Sequence, residues 1–224
     1  RDKLVTGVQT CALPISAEAA KMYENVQRDV LIALANQYSD YCLTEGLNIK
    51  EVTKCASTKW NFSKVHPGLV GGHCISVDPY YLLARAKAKG TDLQLIETAR
   101  SINEAKVGLV AKRIVGYVND TFPDRDNLSV LVLGLSYKKD VGDVRNTKVA
   151  ELIDILSKSI RKIECYDPLV DPNEVKKTYG LNIIISQEDI SGNDYDMAII
   201  AVKHKCIKNL QYTAKTTIKL EDYL

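Results

Sequence analysis

The chain has 224 residues, and its 30 basic and 28 acidic side chains give a formal net charge of +2. This near balance argues against a general role at nucleic acid or at a membrane surface, because either partner would require a basic patch or run. Hydrophobic residues make up 46% of the chain, which is ordinary for a globular protein, yet no apolar run approaches the roughly 20 residues of a membrane span.

The first 16 residues differ in character from the rest. They begin with Arg1 and lack the charged start and long apolar core of a signal peptide. Within them, the stretch VTGVQTCALPIS resembles a translated sequencing adapter. We therefore expect residues 1–16 to be a non-native segment outside the fold, in which Cys11 has no function.

A long helix of about 28 residues is predicted from Ala17 onward, which corresponds to roughly 40 Å. Ser16 is positioned to cap it, and Glu18 lies in the first turn, where the helix dipole favours an acid. Apolar residues recur with a period close to 3.6, and no glycine or proline interrupts them before Gly46. We expect this helix, residues 17–44, to span a domain or an oligomer interface.

Three shorter helices and one loop follow. Prolines and glycines make residues 61–79 loop-like. The helices are predicted over Ile49–Ser57, Pro79–Lys89 and Leu93–Tyr117.

After residue 125 the period of the pattern changes. Ser129–Leu135 is a short apolar run rich in β-branched residues, typical of a buried parallel strand. Strands that alternate with helices predict a parallel α/β domain. We therefore divide the chain into a helical central domain, residues 17–125, and an α/β domain, residues 126–224. The further predicted elements are a helix over Lys148–Ser157 and strands over Ile163–Tyr166, Leu181–Ile185 (weak) and Met197–Val202.

The segment Pro67–Pro79 carries the first candidate site. Gly71 and Gly72 permit close approach of a ligand, and Cys74 follows them where backbone N–H groups can stabilise an oxyanion. An attacking thiolate needs such a setting. Asp78 lies one turn further on if a helix begins there. A plain glycine turn with a small buried cysteine fits the same residues.

Lys21 and Asn25 form the second candidate site. Their spacing of four residues puts both side chains on one face of the long helix. An ammonium and an amide side by side could hold a developing oxyanion or a water molecule. A solvated polar face is the alternative interpretation.

The third candidate site is the segment Gly134–Thr147, which follows a buried strand and precedes a helix. Ligands of open α/β sheets bind beyond the carboxyl ends of such strands. Lys138, Lys139 and Arg145 suit phosphate groups. The segment lacks the GxGxxG fingerprint, so a solvated turn is the alternative.

The cysteines and histidines suggest no metal site. The six cysteines include no CxxC pair, which leaves a zinc knuckle or a redox motif without support, and their scatter favours reduced thiols in the cytoplasm. His73 is adjacent to Cys74 and therefore seldom able to face it, while His66 and His204 show no pattern. A cysteine hydrolase would need a histidine that is distant in sequence but close to Cys74 in space.

Taken together, these motifs resemble the UDP-glucose/GDP-mannose dehydrogenase family over residues 17 to about 205. The segments TKWNF and GLVGGHC with VDPYYL look most like the branch that acts on UDP-N-acetylhexosamines, which includes the Vi-antigen type. The segments that carry the resemblance, in the family's order, are EAAKMYEN, TKWNF, HPGLVGGHCISVDPYYL, LVLGLSYKKDVGDVRNTKV and CYDPLVDP.

The resemblance implies three domains, of which this chain contains the last two. A Rossmann domain that binds NAD comes first in the family, and nothing in this chain matches its glycine fingerprint. A central domain with a long helix forms a homodimer interface, and a Rossmann-like α/β domain binds the UDP part of a UDP-sugar. After Lys205 the polar tail departs from the family's pattern, so we expect the final strand to be missing or frameshifted.

The resemblance also assigns catalytic roles. Cys74 matches the nucleophile, and Lys21 and Asn25 match the pair that flanks the reacting carbon. Asp78 matches a carboxylate that assists water or Lys21. Valine at position 77 replaces a lysine of glucose-type members, which puts one cofactor contact in doubt.

Binding residues are carried over in the same way. Tyr137 and Lys138 match substrate contacts, and Arg145 matches a contact to NAD. The substrate loop is matched by Gly68, Gly71 and Gly72.

The function implied is the NAD-dependent oxidation of the C6 alcohol of a UDP-N-acetylhexosamine to a uronic acid, through a thiohemiacetal and a thioester on Cys74. We expect the chain by itself to be inactive and to bind NAD weakly. A non-catalytic module for helical dimerisation and UDP binding, and a cysteine hydrolase that uses Cys74, are the alternatives.

Overall fold

The computed structural model describes residues 14–122 and 127–224. Most of the adapter-like segment, including Cys11, lies outside these residues, and so does the predicted division at residue 125. The first described element is helix α1, Pro14–Thr44. Ser16 lies inside this helix, so the prediction that it caps the helix was wrong. Proline is well tolerated in a first helical turn, because the N–H group that it lacks has no helical partner there.

Three further helices complete the first part of the chain. They are α2, Ile49–Ala56, α3, Asp78–Lys87, and α4, Gln94–Thr121. Asn48 caps α2, because its side chain accepts a hydrogen bond from the backbone N–H of Lys50 at 2.9 Å. The predicted helices are confirmed in place, although α4 continues four residues beyond the predicted end.

The second part of the chain is a parallel sheet flanked by helices. Its four strands lie in the order β2-β1-β3-β4, and every neighbouring pair is parallel. A helical region followed by a parallel α/β sheet confirms the predicted fold class. The strands are β1, Ser129–Leu133, β2, Lys162–Tyr166, β3, Asp194–Ile200, and β4, Thr213–Lys219; the helices are α5, Lys148–Ser157, α6, Pro172–Tyr179, and α7, Glu188–Ser191; 3₁₀ turns follow at Cys206–Asn209 and Leu220–Asp222.

The sheet corrects two predictions. The weak strand predicted over residues 181–185 is absent from the described structure as a strand, and Ile184 forms only an isolated bridge with Tyr166. The final strand is present, because β4 pairs with β3 from Asp194↔Thr213 to Ile200↔Lys219. The polar tail therefore completes the sheet, contrary to the prediction.

Helix α4 belongs to both parts of the molecule. Its first half packs against α1 through buried polar side chains. Its second half contributes Val107, Val110, Ile114 and Val118 to the same hydrophobic core as the buried residues of β1 and α5. The two parts therefore share one continuous helix, and the site residues on each part are held in a fixed relation.

Buried polar groups join α1 to α4. Asp29 Oδ1 accepts hydrogen bonds from Arg100 Nη1 at 2.5 Å and from Asn103 Nδ2 at 2.8 Å. All three residues are at most 2% exposed. Burial raises the pKa of Asp29, and the Arg100 guanidinium opposes that rise. Burial of a polar group costs free energy unless the group is hydrogen-bonded, so this cluster fixes how α1 packs against α4.

None of the helices in the described ranges has the length and apolar character needed to cross a membrane. Within those same ranges, no three or more histidine, cysteine, aspartate or glutamate side chains are grouped so that they could hold a metal ion.

Asp40 on α1 provides a test of this polar packing. Its Oδ1 accepts from Lys106 Nζ and from Arg113 Nη2, both at 2.6 Å. Burial raises the pKa of Asp40, but the hydrogen bonds from Lys106 and Arg113 outweigh burial. The pKa of Asp40 therefore lies below the ordinary value for an aspartate. The stability that Asp40 contributes is therefore fully present at a pH above its pKa in the unfolded chain. This stability is lost as the pH falls through the lower pKa that Asp40 has in the folded chain.

We expect Asp40→Asn to lower the free energy of unfolding near pH 7 by roughly 1.5–3 kcal/mol, because Lys106 and Arg113 lose a charged acceptor. The difference from the unaltered chain should shrink as the pH falls from about 5 to about 3. Urea denaturation followed by circular dichroism measures both. Asp154→Asn is the control. Asp154 pairs with Lys158 at an exposed position, so this substitution should leave the free energy of unfolding unchanged. A difference independent of pH would contradict the assignment.

Candidate active site

The Cys loop, residues 67–77, leads directly into helix α3. Cys74 is exposed, and its carbonyl oxygen accepts from the N–H groups of Val77 at 3.0 Å and Asp78 at 2.8 Å. These bonds form a tight turn that starts α3 at Asp78. The expectation that Asp78 lies one helical turn from Cys74 is confirmed, and the exposed thiol excludes a buried structural cysteine.

Asn25 and Asp78 meet across the gap between α1 and α3. Asn25 is only 6% exposed, and its Nδ2 donates to Asp78 Oδ2 at 2.6 Å. Lys21 lies one turn earlier on α1, but its side chain is 61% exposed and its Nζ bonds to Glu24 at 2.9 Å. The structure thus pairs Asp78 with Asn25, whereas the sequence analysis expected it to act on water or Lys21.

The two glycines of the Cys loop allow it to dock on the α/β part. A Cβ on Gly71 would lie 2.6 Å from the carbonyl oxygen of Asn146, and one on Gly72 would lie 2.9 Å from the ring of Tyr137. Gly72 also has φ +85°, a conformation that other residues rarely adopt. Asn146 Nδ2 donates to the Gly72 carbonyl at 3.1 Å. Only glycines fit this contact.

The docked loop closes one side of a cleft of about 310 Å³. The cleft lies at the carboxyl ends of β1 and β3, where ligands of parallel sheets bind. Three of the predicted substrate residues, Gly71, Tyr137 and Lys138, line it together. Its other lining residues include Pro67, Leu69, Ser136, Lys139, Lys148, Lys203, Glu221 and Leu224.

Gly68 has a different environment from the other loop glycines. Its N–H donates to Asn36 Oδ1 at 2.9 Å, and its carbonyl accepts from Asn36 Nδ2 at 3.0 Å. Asn36 is fully buried on α1. The structure therefore shows Gly68 as an anchor point of the Cys loop, and Asn36 is a site-positioning residue that the sequence analysis missed.

Arg145, the predicted NAD contact, is engaged within its own loop. Its Nε and Nη2 bond to both oxygens of Asp143, with Nη2 to Oδ2 at 2.5 Å. The hydrogen bonds from Arg145 lower the pKa of Asp143 to about 2. His73 Nδ1 lies 3.8 Å from Asp143 Oδ2, and its ring packs edge-on against Tyr137. His73 therefore faces the α/β part.

The sequence analysis also assigned no role to three buried residues, Arg100, Asp167 and His204. Arg100 holds its guanidinium 5.4 Å from the ring centre of Tyr80, two residues after Asp78, while it binds Asp29 on α1. Asp167 and His204 are buried together beneath the cleft. The position of Asp167 directly after a strand was a usable signal, since strand ends line such clefts.

Two models of one family match the chain, that of the central domain over residues 15–105 and that of the UDP binding domain over residues 131–221. The chain belongs to the UDP-glucose/GDP-mannose dehydrogenase family. The family resemblance stated from the motifs is confirmed. The second match includes β4, so the tail does not depart from the family as the sequence analysis expected.

Individual members of the family are similar to this chain in sequence over nearly all of its length. UDP-N-acetyl-D-glucosamine 6-dehydrogenase of Salmonella typhi is 36% identical over 194 residues, which are 87% of this chain and 45% of that enzyme. Protein CapL of Staphylococcus aureus is 38% identical over 202 residues, 90% of this chain and 47% of that protein. The chain thus spans about half the length of these relatives.

Solved structures agree with the sequences. UDP-D-ManNAc dehydrogenase from Pyrococcus horikoshii superposes with a TM-score of 0.72 at 32% identity, over 86% of this chain and 43% of that one. NDP-N-acetyl-D-galactosaminuronic acid dehydrogenase from Methanosarcina mazei gives a TM-score of 0.75 at 26% identity, over 87% and 42%. The helical and α/β parts of this chain therefore have the fold of the corresponding parts of family members.

Gly71→Ala should undo the docking of the Cys loop. The added methyl group meets a backbone oxygen that cannot rotate away, so we expect a loss of about 1–3 kcal/mol in unfolding free energy. Limited proteolysis should also cut the loop faster. The matched control is Gly68→Ala, since a Cβ there meets nothing within 4 Å. Equal stability and equal cleavage rates for the two variants would show that the loop is not docked through Gly71.

Proposed function

We propose that this chain supplies the substrate site and the reactive thiol for oxidation of the C6 alcohol of a UDP-N-acetylhexosamine to a uronic acid. The observation that carries the proposal is the Asn25–Asp78 hydrogen bond one turn from the exposed Cys74, in a loop docked beside the cleft of a UDP binding domain. Similarity to 6-dehydrogenases of UDP-N-acetyl sugars supports this choice of substrate class.

NAD is the hydride acceptor implied by the family, and the residues present fit its site poorly. The sequence contains no GxGxxG fingerprint. Arg145, the one residue assigned to NAD, already binds Asp143 with two nitrogens. We therefore assign to this chain only the steps that its own side chains can perform.

Cys74 performs the covalent step. After the alcohol has lost its first hydride, the thiolate sulfur bonds to the aldehyde carbon, and the carbonyl oxygen becomes an oxyanion. The alcohol and then this adduct would each transfer one hydride to NAD, and the second transfer would leave a thioester on Cys74. Water then adds to the thioester carbon, the carbon–sulfur bond breaks, and the products are the carboxylate and the free thiol.

Asn25 and Asp78 orient the groups around this carbon. The bond to Asp78 uses one N–H of the Asn25 amide, and the second N–H is available to an oxyanion. Lys21 lies on the same face of α1, and its present bond to Glu24 is an exposed pair of little energetic value. Lys21 can therefore turn toward a bound sugar at small cost.

The cleft beside the Cys loop holds the UDP part. Lys138 and Lys139 line it and suit a diphosphate. The other two lysines of the lining are paired with carboxylates, Lys148 with Glu104 and Glu151, and Lys203 with Glu221. We expect Lys138→Ala to weaken UDP binding about tenfold, the loss of one charge-assisted hydrogen bond. Isothermal titration with UDP measures this. Lys158→Ala, at an exposed residue directly after α5, should leave the affinity unchanged. Equal UDP affinities for the two variants would contradict the assignment of the cleft as the UDP site.

Alkylation of cysteines tests whether a ligand bound in the cleft covers the thiol of Cys74. Bound UDP-N-acetylglucosamine should slow the alkylation of Cys74 by iodoacetamide, because the sugar covers it. Cys55 is also free and exposed, and its rate should not change. The two sites are separated by peptide mass mapping. UDP binding without protection of Cys74 would favour the alternative of a binding module. Hydrolysis without NADH would favour a cysteine hydrolase.

A homodimer through α1 is the second part of the proposal. An apolar groove of about 380 Å³ runs between α1, α2 and the residues that follow α2. Leu34 and Tyr38 on its rim are 62% and 46% exposed, and a contiguous apolar surface of this kind marks an interface. The other apolar side chains of the groove are Leu31, Ala35, Ile49, Val52, Ala56, Phe62 and Val65.

Leu34→Glu should therefore convert a dimer to a monomer, because it places a charge on the apolar surface that the partner would bury. Sedimentation velocity gives the mass directly. Leu95→Glu is the matched control, since Leu95 is 70% exposed on α4, outside the groove. A monomeric unaltered chain, or a dimer that survives Leu34→Glu, would reject this interface.

A further inference from the structure

His204 lies beneath the cleft, bonded to both ends of the cleft loop, residues 134–140. It is 2% exposed, and no role was assigned to it from sequence. Its Nδ1 accepts from the backbone N–H of Asp140 at 2.8 Å. Its Nε2 lies 3.1 Å from Asp167 Oδ2 and 3.1 Å from Ser136 Oγ. One imidazole thus joins the start of the cleft loop to its end.

The hydrogen atoms of this network have only one consistent arrangement. Asp140 N–H is a donor, so Nδ1 of His204 must be an unprotonated acceptor. The Ser136 hydroxyl donates its single hydrogen to the Lys138 carbonyl at 3.0 Å. The Nε2–H of His204 therefore donates to Asp167 and Ser136. A second proton on Nδ1 would place two donors against each other.

Asp167 completes the anchor at the start of the loop. Its Oδ2 accepts from the N–H groups of Leu135 at 2.8 Å and Ser136 at 3.0 Å, and its Oδ1 accepts from Leu169 N–H at 3.0 Å. Burial raises the pKa of Asp167, but the bonds from His204 and these backbone groups outweigh burial and lower it. The carboxylate is therefore charged, buried and fully bonded.

The far end of the loop is held in an uncommon backbone conformation. Asp140 has φ +59°, in the left-handed region that residues other than glycine seldom adopt. Its carboxylate accepts from the backbone N–H of Lys205 at 2.7 Å, while its own N–H bonds to His204. This reciprocal pair of bonds keeps the loop folded over residues 204–205 despite the strain.

Tyr137 and Lys138 lie between these two anchors and face the cleft. We propose that the buried Asp167–His204 pair is a positioning device that sets the cleft loop for the nucleotide, with His204 as the neutral tautomer protonated on Nε2. The identity of that nucleotide as UDP rests on the proposed function above. His204 touches no substrate in this arrangement, so it acts through the loop.

A proton relay is not the role of this group. In a serine–histidine–aspartate relay the serine and the carboxylate bond to different ring nitrogens. Here Ser136 and Asp167 share Nε2, and Nδ1 is bonded to the backbone. The geometry serves to hold the loop in place.

Two substitutions separate the two halves of the device. In His204→Asn, the side-chain oxygen can replace Nδ1 and accept from Asp140, but the chain is too short to reach Asp167. In His204→Gln, the amide nitrogen can replace Nε2 and donate to Asp167, but Asp140 loses its acceptor. Tyr195→Phe is the control, because it removes another buried bond of the same sheet, to Glu164 at 2.6 Å, away from the cleft.

Amide hydrogen exchange by NMR tests the positioning without any ligand. The Asp140 amide should lose protection in His204→Gln and keep it in His204→Asn. The Leu135 and Ser136 amides should stay protected in both, because Asp167 bonds them directly. Unchanged protection at Asp140 in His204→Gln would overturn the proposal. Because this test needs no UDP, it stands even if the chain proves not to bind UDP.

UDP titration then measures the effect on the cleft. Both His204 variants should bind UDP about tenfold more weakly than the unaltered chain at a temperature where both are folded. Tyr195→Phe should lower the melting temperature and leave the affinity unchanged. Full UDP affinity in a folded His204→Gln would show that His204 only fills space.

The tautomer can be measured on the unaltered chain, so a variant that fails to fold does not stop the test. Imidazole ¹⁵N shifts should show an unprotonated Nδ1 and a protonated Nε2 for His204. A proton on Nδ1 would contradict the network and reject the proposal.

Discussion

The hydrogen bond between Arg100 and Asp29 is the interaction on which the site depends most. Asp29 lies one turn after Asn25 on α1, and the same guanidinium lies over Tyr80, two residues after Asp78 on α3. One buried cation thus contacts both helices that carry the Asn25–Asp78 pair. A buried ion pair adds little net stability, but breaking it is costly, so it fixes a geometry well.

Buried hydrogen bonds and packing also join the helical part of the chain to the α/β part. The Cys loop is tied to α1 by Asn36 and to the α/β part by Asn146, with two glycines that permit close contact. Helix α4 carries polar bonds to α1 in its first half and core valines in its second half. The Cys loop and the cleft are therefore held together both by these hydrogen bonds and by the packing of α4.

In both parts, a carboxylate holds polar groups of the candidate site in place. Asn25 is oriented by Asp78, and the cleft loop is oriented by Asp167 and His204. In each case a carboxylate, buried or partly buried, accepts a hydrogen bond from a residue that is distant in sequence. Such groups are stable only when every bond is made, which ties the site's geometry to the fold.

The sequence by itself determined the helices, the central strands and the family. A period-3.6 pattern located α1, and unbroken apolar runs located β1 and β3, because burial of apolar side chains leaves a strong local signal. Strand β4 escaped because TAKTTIK lies at the edge of the sheet, where only Ile218 is buried. Its threonines favour a strand, but an edge strand lacks the apolar pattern that the analysis relied on.

Only the tertiary structure decided which candidate residues meet. Sequence spacing put Lys21 and Asn25 on one face, yet the partner of Asp78 is Asn25, 53 residues away, while Lys21 turns to Glu24. His204 showed no pattern because its partners come from loops that are 37 to 68 residues distant. Local patterns report burial and backbone conformation, whereas hydrogen bonds between distant segments exist only once the chain has folded.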